Sequence, residues 1–194
     1  MKKTLLLSLA LVFATLFAQA QFHLGGKIGG NFSKIDGQAF KDGYEFGYVL
    51  GGFAEIDFSK TFGIQPELVF NQTNTKVTDD AYLASLAGFK PGDKVSLNYL
   101  TVPVLLRINA SPLLTFHVGP QFGILLNNHK TTLQNVGDAF KGGDFALALG
   151  AQLNLKMLRV FGRYNIGLSD IGDITNQNDW KSQQIQLGLG IKIL

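Results

Sequence analysis

The sequence predicts an all-β fold in which eight antiparallel strands close up-and-down into a barrel. Three observations predict it. Apolar residues recur at every second position through eight segments, a period of two that belongs to extended strands rather than helices. The connections alternate, long after the first, third, fifth and seventh segments and short after the second, fourth and sixth, so tight turns gather at one end and loops at the other. The face opposite the apolar one is rich in glycine instead of long solvated side chains.

Ahead of the first strand, Met1-Lys2-Lys3, the apolar run Thr4 to Phe17 and Ala18-Gln19-Ala20 have the charged start, short apolar middle and small-residue cleavage site of a secretory signal peptide. Cleavage between Ala20 and Gln21 is expected, dividing the chain into a leader, 1–20, and a barrel domain, 21–194. The apolar run is shorter than the roughly 20 residues a spanning helix needs, and no Cys follows the cleavage site to carry a lipid.

The first strand, Phe22 to Ser33, sets Phe22, Leu24, Ile28 and Phe32 against His23, Gly25, Lys27, Gly29 and Asn31. After a loop, 34–43, the second sets Tyr44, Phe46, Tyr48, Leu50, Ala54, Ile56 and Phe58 against Glu45, Gly47, Gly51, Glu55 and Asp57, and Ser59-Lys60 reverses the chain. The third carries Phe62, Ile64, Pro66, Leu68 and Phe70 opposite Gly63, Gln65, Glu67 and Asn71. A polar excursion from Gln72 to about Lys94 follows, in which Tyr82 to Phe89 reads as a short helix. Strands four and five form a hairpin about Asn109-Ala110-Ser111-Pro112, with Leu100, Val102, Val104, Leu106 and Ile108, then Leu114, Phe116, Val118, Pro120 and Phe122, on the apolar face. A second excursion spans Asn127 to Gly143. The sixth strand alternates Phe145, Leu147, Leu149 and Leu153 with Ala146, Ala148, Gly150, Gln152 and Lys156, and turns at Met157. The seventh opposes Val160, Tyr164 and Ile166 to Arg159, Arg163 and Asn165; past a loop, 170–180, the eighth opposes Ile185, Leu187, Leu189 and Ile191 to Gln184, Gln186, Gly188, Gly190 and Lys192.

Alternation alone fits a soluble barrel with an apolar core as well as a membrane barrel with an apolar wall. Glycine decides between them. An eight-stranded barrel is only just wide enough for its side chains, so the glycine-rich face belongs inside and the bulky face outside, in lipid. The aromatics near the strand ends then form two girdles, Phe22, Phe58, Phe62 and Phe116 towards the turns and Phe32, Tyr44, Phe46, Phe70 and Phe145 towards the loops. The fold is thus a transmembrane barrel with short periplasmic turns and longer extracellular loops, seated in the outer membrane. Its lumen is expected to hold a polar network of Lys27, Glu45, Glu55, Asp57, Glu67, Arg107, His117, Lys156, Arg159, Arg163 and Lys192, paired because buried charge must be, and so plugged rather than open.

Composition narrows the function classes. Charged residues are 16% of the chain, against about 25% in soluble domains. The formal net charge of +3 falls to about +1 without Lys2 and Lys3, and its basic residues form no stripe of the kind nucleic acid requires. With no cysteine, stability rests on packing and backbone pairing.

Three motifs, the leader's Ala18-Gln19-Ala20-Gln21, the strand Tyr99-Leu100-Thr101-Val102-Pro103-Val104-Leu105-Leu106-Arg107 and the following Gly119-Pro120-Gln121-Phe122-Gly123, resemble the PorT-type outer-membrane β-barrel family over the whole mature chain. The resemblance implies an eight-stranded barrel of the Gram-negative outer membrane, in a family of which a few members are implicated in type IX secretion and gliding. Two positions depart from it. Thr101 stands where relatives frequently carry an acidic residue, which leaves the partner of Arg107 open, and the chain ends in Leu194 rather than an aromatic residue.

Little in the sequence carries catalysis or cofactor chemistry. His23, His117 and His129 lie without the cluster of further ligands a metal needs. Lipid-modifying catalysis would need a Ser, His and acid in mutual reach; His129 with Ser96 or Ser182 has no spacing to support it. Gly25-Gly26-Lys27-Ile28-Gly29-Gly30 matches no phosphate-binding pattern and precedes no helix. The expectation is a non-enzymatic barrel without cofactor whose partners are outer-membrane lipids and proteins met through the loops 72–94 and 127–143. A narrow solute channel is the alternative, and a lipid-modifying enzyme a more remote one.

Overall fold

The structure, a computed structural model, describes residues 21–36, 43–80, 82, 90–126, 144–168 and 181–194. It is a closed antiparallel barrel of β1 (Gln21–Asp36), β2 (Glu45–Asp57), β3 (Phe62–Lys76), β4 (Lys94–Asn109), β5 (Leu114–Leu125), β6 (Asp144–Leu155), β7 (Leu158–Gly167) and β8 (Lys181–Lys192). Each strand pairs with its neighbours in sequence, and β1 pairs with β8 from Gly25↔Lys192 to Asp36↔Lys181, leaving no open edge. The predicted fold class is the observed one.

Parity assigns the faces. In β1, β2 and β8, even-numbered residues such as Phe22 or odd-numbered ones such as Leu187 and Leu189 stand on the exposed wall, with Ile28, Phe46 and Ile191 more than half exposed. The opposite parity is buried. Long inward side chains lie beside glycines: Lys27 sits between Gly51 on β2 and Gly190 on β8, and His117 between Arg107 on β4 and Gly150 on β6. At the closing seam Gly29 and Gly188 face each other, and a Cβ on Gly188 would stand 2.8 Å from the Gly29 Cα. Any larger residue here would force β1 and β8 apart.

The turn end is held by local chemistry. The Ser59 hydroxyl accepts from the Phe62 amide at 2.8 Å, and the Ser111 hydroxyl accepts from that of Leu114 at 3.0 Å. Lys156 takes a left-handed backbone, φ 56°, to turn β6 into β7. Prolines interrupt the ladders they cannot donate to: β2–β3 pairing stops at Phe53↔Glu67 and resumes at Ile56↔Ile64 around Pro66, and β4–β5 pairing skips from Pro103↔Gln121 to Leu106↔Val118 past Pro120.

Three expectations need correction. The excursion expected from Gln72 begins only after Lys76, because β3 continues through Thr73↔Leu97 to Lys76↔Lys94 with Thr73 and Thr75 buried inside. Polar residues occupy both parities there, so the stretch has no apolar alternation to announce a strand. Likewise β1 runs to Asp36 rather than Ser33. The inner face, expected to be glycine and polar residues, also holds Val49, Phe53, Val69, Tyr99, Leu105 and Phe161. Glycine makes the room: a Cβ on Gly25 would lie 2.3 Å from Phe53 Cζ, and one on Gly188 would lie 2.7 Å from Phe161 Cζ. The leader with Ala20, the loop 127–143 with His129, and 83–89 of the expected helix lie outside the described residues.

Candidate functional site: the barrel lumen

Inward residues stack in layers along the barrel. At mid-height the Glu67 carboxylate, with no side-chain exposure, is clamped by two cations. Lys27 Nζ donates to Oε2 at 2.9 Å, and the Arg163 guanidinium donates to both oxygens at 2.7 and 2.9 Å. Gln65 is a third donor residue to this carboxylate, its Nε2 reaching Oε1 at 2.7 Å. The same ammonium of Lys27 lies 3.9 Å above the Phe161 ring, a cation–π contact that stands in for part of its lost hydration.

One layer nearer the turns, Glu55 is the second centre. Arg159 makes a two-pronged contact to it at 2.8 and 2.9 Å, Arg107 stands 3.0 Å away, and Gln152 donates at 3.0 Å. Arg107 also donates to Asp57 at 3.0 Å, which answers the question that Thr101 left open: its acidic partners are Asp57 and Glu55 on β2. Thr101 instead donates to the Val69 carbonyl at 3.1 Å. Below Glu55 a cavity of about 790 Å³ opens at the turn end, lined in part by His23, Asp57, Lys60, Arg107 and Arg159.

Above Glu67 the chemistry changes to neutral amides and hydroxyls. Asn31, Asn71, Gln121, Asn165, Gln184 and Gln186 are all buried here. Strand parity already sets Asn31, Asn71, Asn165, Gln184 and Gln186 on the same inward face as the charged residues; that they form a separate neutral layer is not legible from it.

Of the eleven residues expected in the network, Lys27, Glu55, Asp57, Glu67, Arg107, Arg159 and Arg163 come together in the two layers just described. His117 is buried beside Arg107 in the ladder, with Nε2 unpartnered. Three stand apart. Glu45 pairs with Lys76 at 3.1 Å on the partly exposed loop rim, Lys156 is exposed in its turn and contributes its carbonyl to Arg159, and Lys192 at the turn end makes no ion pair among the described residues. Lys156 stays at the rim of the turn-end cavity because the left-handed turn begins on it, which ends the strand parity that would have pointed it inward. Among the described residues no group of His, Cys, Asp or Glu could hold a metal.

A closed eight-stranded barrel with an apolar outer wall and a polar, charge-paired interior defines the outer-membrane class of β-barrels. The chain belongs to the outer membrane protein beta-barrel domain family, whose profile matches residues 17–173, and it localises to the outer membrane. Solved structures on the same fold include Ail, the attachment invasion locus protein of Yersinia pestis, solved in complex with the heparin analogue sucrose octasulfate (14% identity, TM-score 0.52, 88% of this chain and 99% of that one). Neisserial surface protein A is similar over 90% of this chain and 99% of its own (9% identity, TM-score 0.53). OprG from Pseudomonas aeruginosa is similar over 90% and 96% (11% identity, TM-score 0.50). No curated protein matches.

Proposed function

We propose that the protein is a non-enzymatic outer-membrane barrel, closed along its axis by its own side chains, whose role is structural or is exercised through its loops. Strands β1 to β8 cross the bilayer in this reading, the turns lie in the periplasm, and the signal peptide is removed after Ala20. The observation that carries the reading is the Glu67 clamp, a carboxylate at mid-barrel whose two oxygens are held by Lys27 and Arg163, so that three long side chains meet across that layer. Rings at the loop rim, such as the edge-on pair Phe32 and Phe46 at 5.6 Å, support a girdle at the lipid interface. The PorT-type motifs Tyr99–Arg107 and Gly119–Gly123 extend the proposal to a role beside type IX secretion, for which a secretion defect on deletion is the test.

Planar-bilayer recording tests the plug. The refolded barrel is expected to give no stable single-channel steps; steps that vanish in Arg163→Ala would establish the channel reading instead. A change in lipid A mass on deletion would favour the enzyme reading.

A further inference from the structure

At the loop end of the lumen lies a pocket of about 30 Å³, lined by Asn71, Thr101, Gln121, Asn165 and Gln184 among others, with no charged side chain among the described residues of its wall. Two of these residues bring hydrogen-bonding groups that the protein leaves unanswered. Asn165 is 1% exposed and neither its Nδ2 nor its Oδ1 has a partner among the described residues; Asn71, wholly buried, likewise has an unpartnered Oδ1 while its Nδ2 donates to Gln184 at 2.8 Å. The Oδ1 of the neighbouring Asn31 is unanswered as well. Among the described residues no backbone or side-chain group answers these atoms, which leaves them open to a partner from outside the ladder.

The pocket's size and chemistry narrow what that partner is. One water occupies about 10–15 Å³ on this measure, so the space takes about two or three. An ion would enter without a counter-charge among the described residues of the wall, which burial penalises heavily. The floor is apolar: one inward step below Asn71 on β3 comes Val69, in a cluster with Val49 and Phe161.

We infer that this pocket is a hydration site, in which ordered waters bridge Asn165 to Asn71 and end on the Val49, Val69 and Phe161 collar. The loop-end half of the lumen is then wet, and the barrier to water begins at that collar rather than at the loops. Hydration of the pocket holds whether or not the lumen conducts, so it stands apart from the plugged reading, on which only the barrier at the collar rests.

The test is nuclear magnetic resonance on the full barrel in lipid nanodiscs, with Asn and Gln side-chain amides labelled. Long-lived water cross-peaks are expected at the Asn165 and Asn71 amide protons. In Asn165→Leu the Asn71 cross-peak should be lost, and in Asn165→Ser, which keeps a hydrogen-bonding group, it should persist. Heat-modifiable gel mobility checks that each variant folds, and the wild type and Asn165→Ser still decide the matter if Asn165→Leu does not. Assigned amides without water cross-peaks in the wild type would overturn the inference. So would a folded Asn165→Leu barrel with a higher unfolding midpoint, because removing a dry, unpaired amide stabilises.

Discussion

The charged layers and the amide layer are parts of one lumen, on the same eight strands, yet they satisfy their polar groups in opposite ways. Around Glu67 and Glu55 every carboxylate oxygen has a cationic partner within 3.0 Å. At equal depth the whole Asn165 amide and the Asn71 Oδ1 have none among the described residues. The difference follows from the cost of error. An unpaired buried charge costs several kcal/mol, of the order of 3–5 when one partner is removed, whereas an unsatisfied neutral group costs about 1–3 and one water can answer it. The charged layers must therefore be self-sufficient; the amide layer need not be.

The sharpest break in that comparison is Glu67→Ala. It strands Lys27 and Arg163 together, two like charges with less than a tenth of their surface exposed, and a loss of about 3–5 kcal/mol is expected. A urea titration followed by the folded and unfolded gel bands measures it. Glu55→Ala strands only Arg159, because Arg107 keeps Asp57 at 3.0 Å, and the turn-end cavity reaches both arginines. Water can rehydrate them, and the expected loss is smaller, about 1–3 kcal/mol. Equal losses for the two variants would mean that the cavity does not relieve burial at Glu55.

Much of this layering is legible in the sequence, and the illegible part has a physical reason. Inward parity is a local property, so Arg163 and Asn165 fall on the same face as surely as Gly188 and Gly190. Pairing is not local. Glu67 meets Arg163 across a sequence separation of 96 and Lys27 across 40, and the stagger between strands that brings them level exists only once the barrel closes. The inward aromatics set two local signals against each other: Phe53 and Phe161 share the parity of Glu55 and Arg163 while their apolar rings suit the outer wall, and the glycines that make room for them inside lie on another strand. Thr73 and Thr75 fail differently, since a strand polar on both faces carries no periodic signal.

On the neutral side, Thr101→Val removes the hydroxyl that donates to the Val69 carbonyl and keeps the side-chain volume. A carbonyl has a second lone pair and the change leaves no charge behind, so the expected loss is about 0.5–1.5 kcal/mol in the same titration. A loss as large as that of Glu67→Ala would erase the distinction between the two regions.

The smallest effect belongs to the loop rim, where charge is present but burial is not. Glu45 and Lys76 face each other at 3.1 Å, with 27% and 38% of their side chains exposed. Water screens such a pair, and holding two long side chains together costs entropy that offsets most of the attraction. Exposed pairs contribute about 0–1 kcal/mol, so Glu45→Gln should shift the urea midpoint slightly and the shift should vanish at about 1 M salt, where charges are screened over about 3 Å. The Glu67 clamp, shielded from those ions, should lose far less of its effect in the same salt. A salt-insensitive loss at Glu45 would show that the rim pair is buried under the loops, and would extend the charged, self-sufficient chemistry to the end of the barrel where neutral amides otherwise prevail.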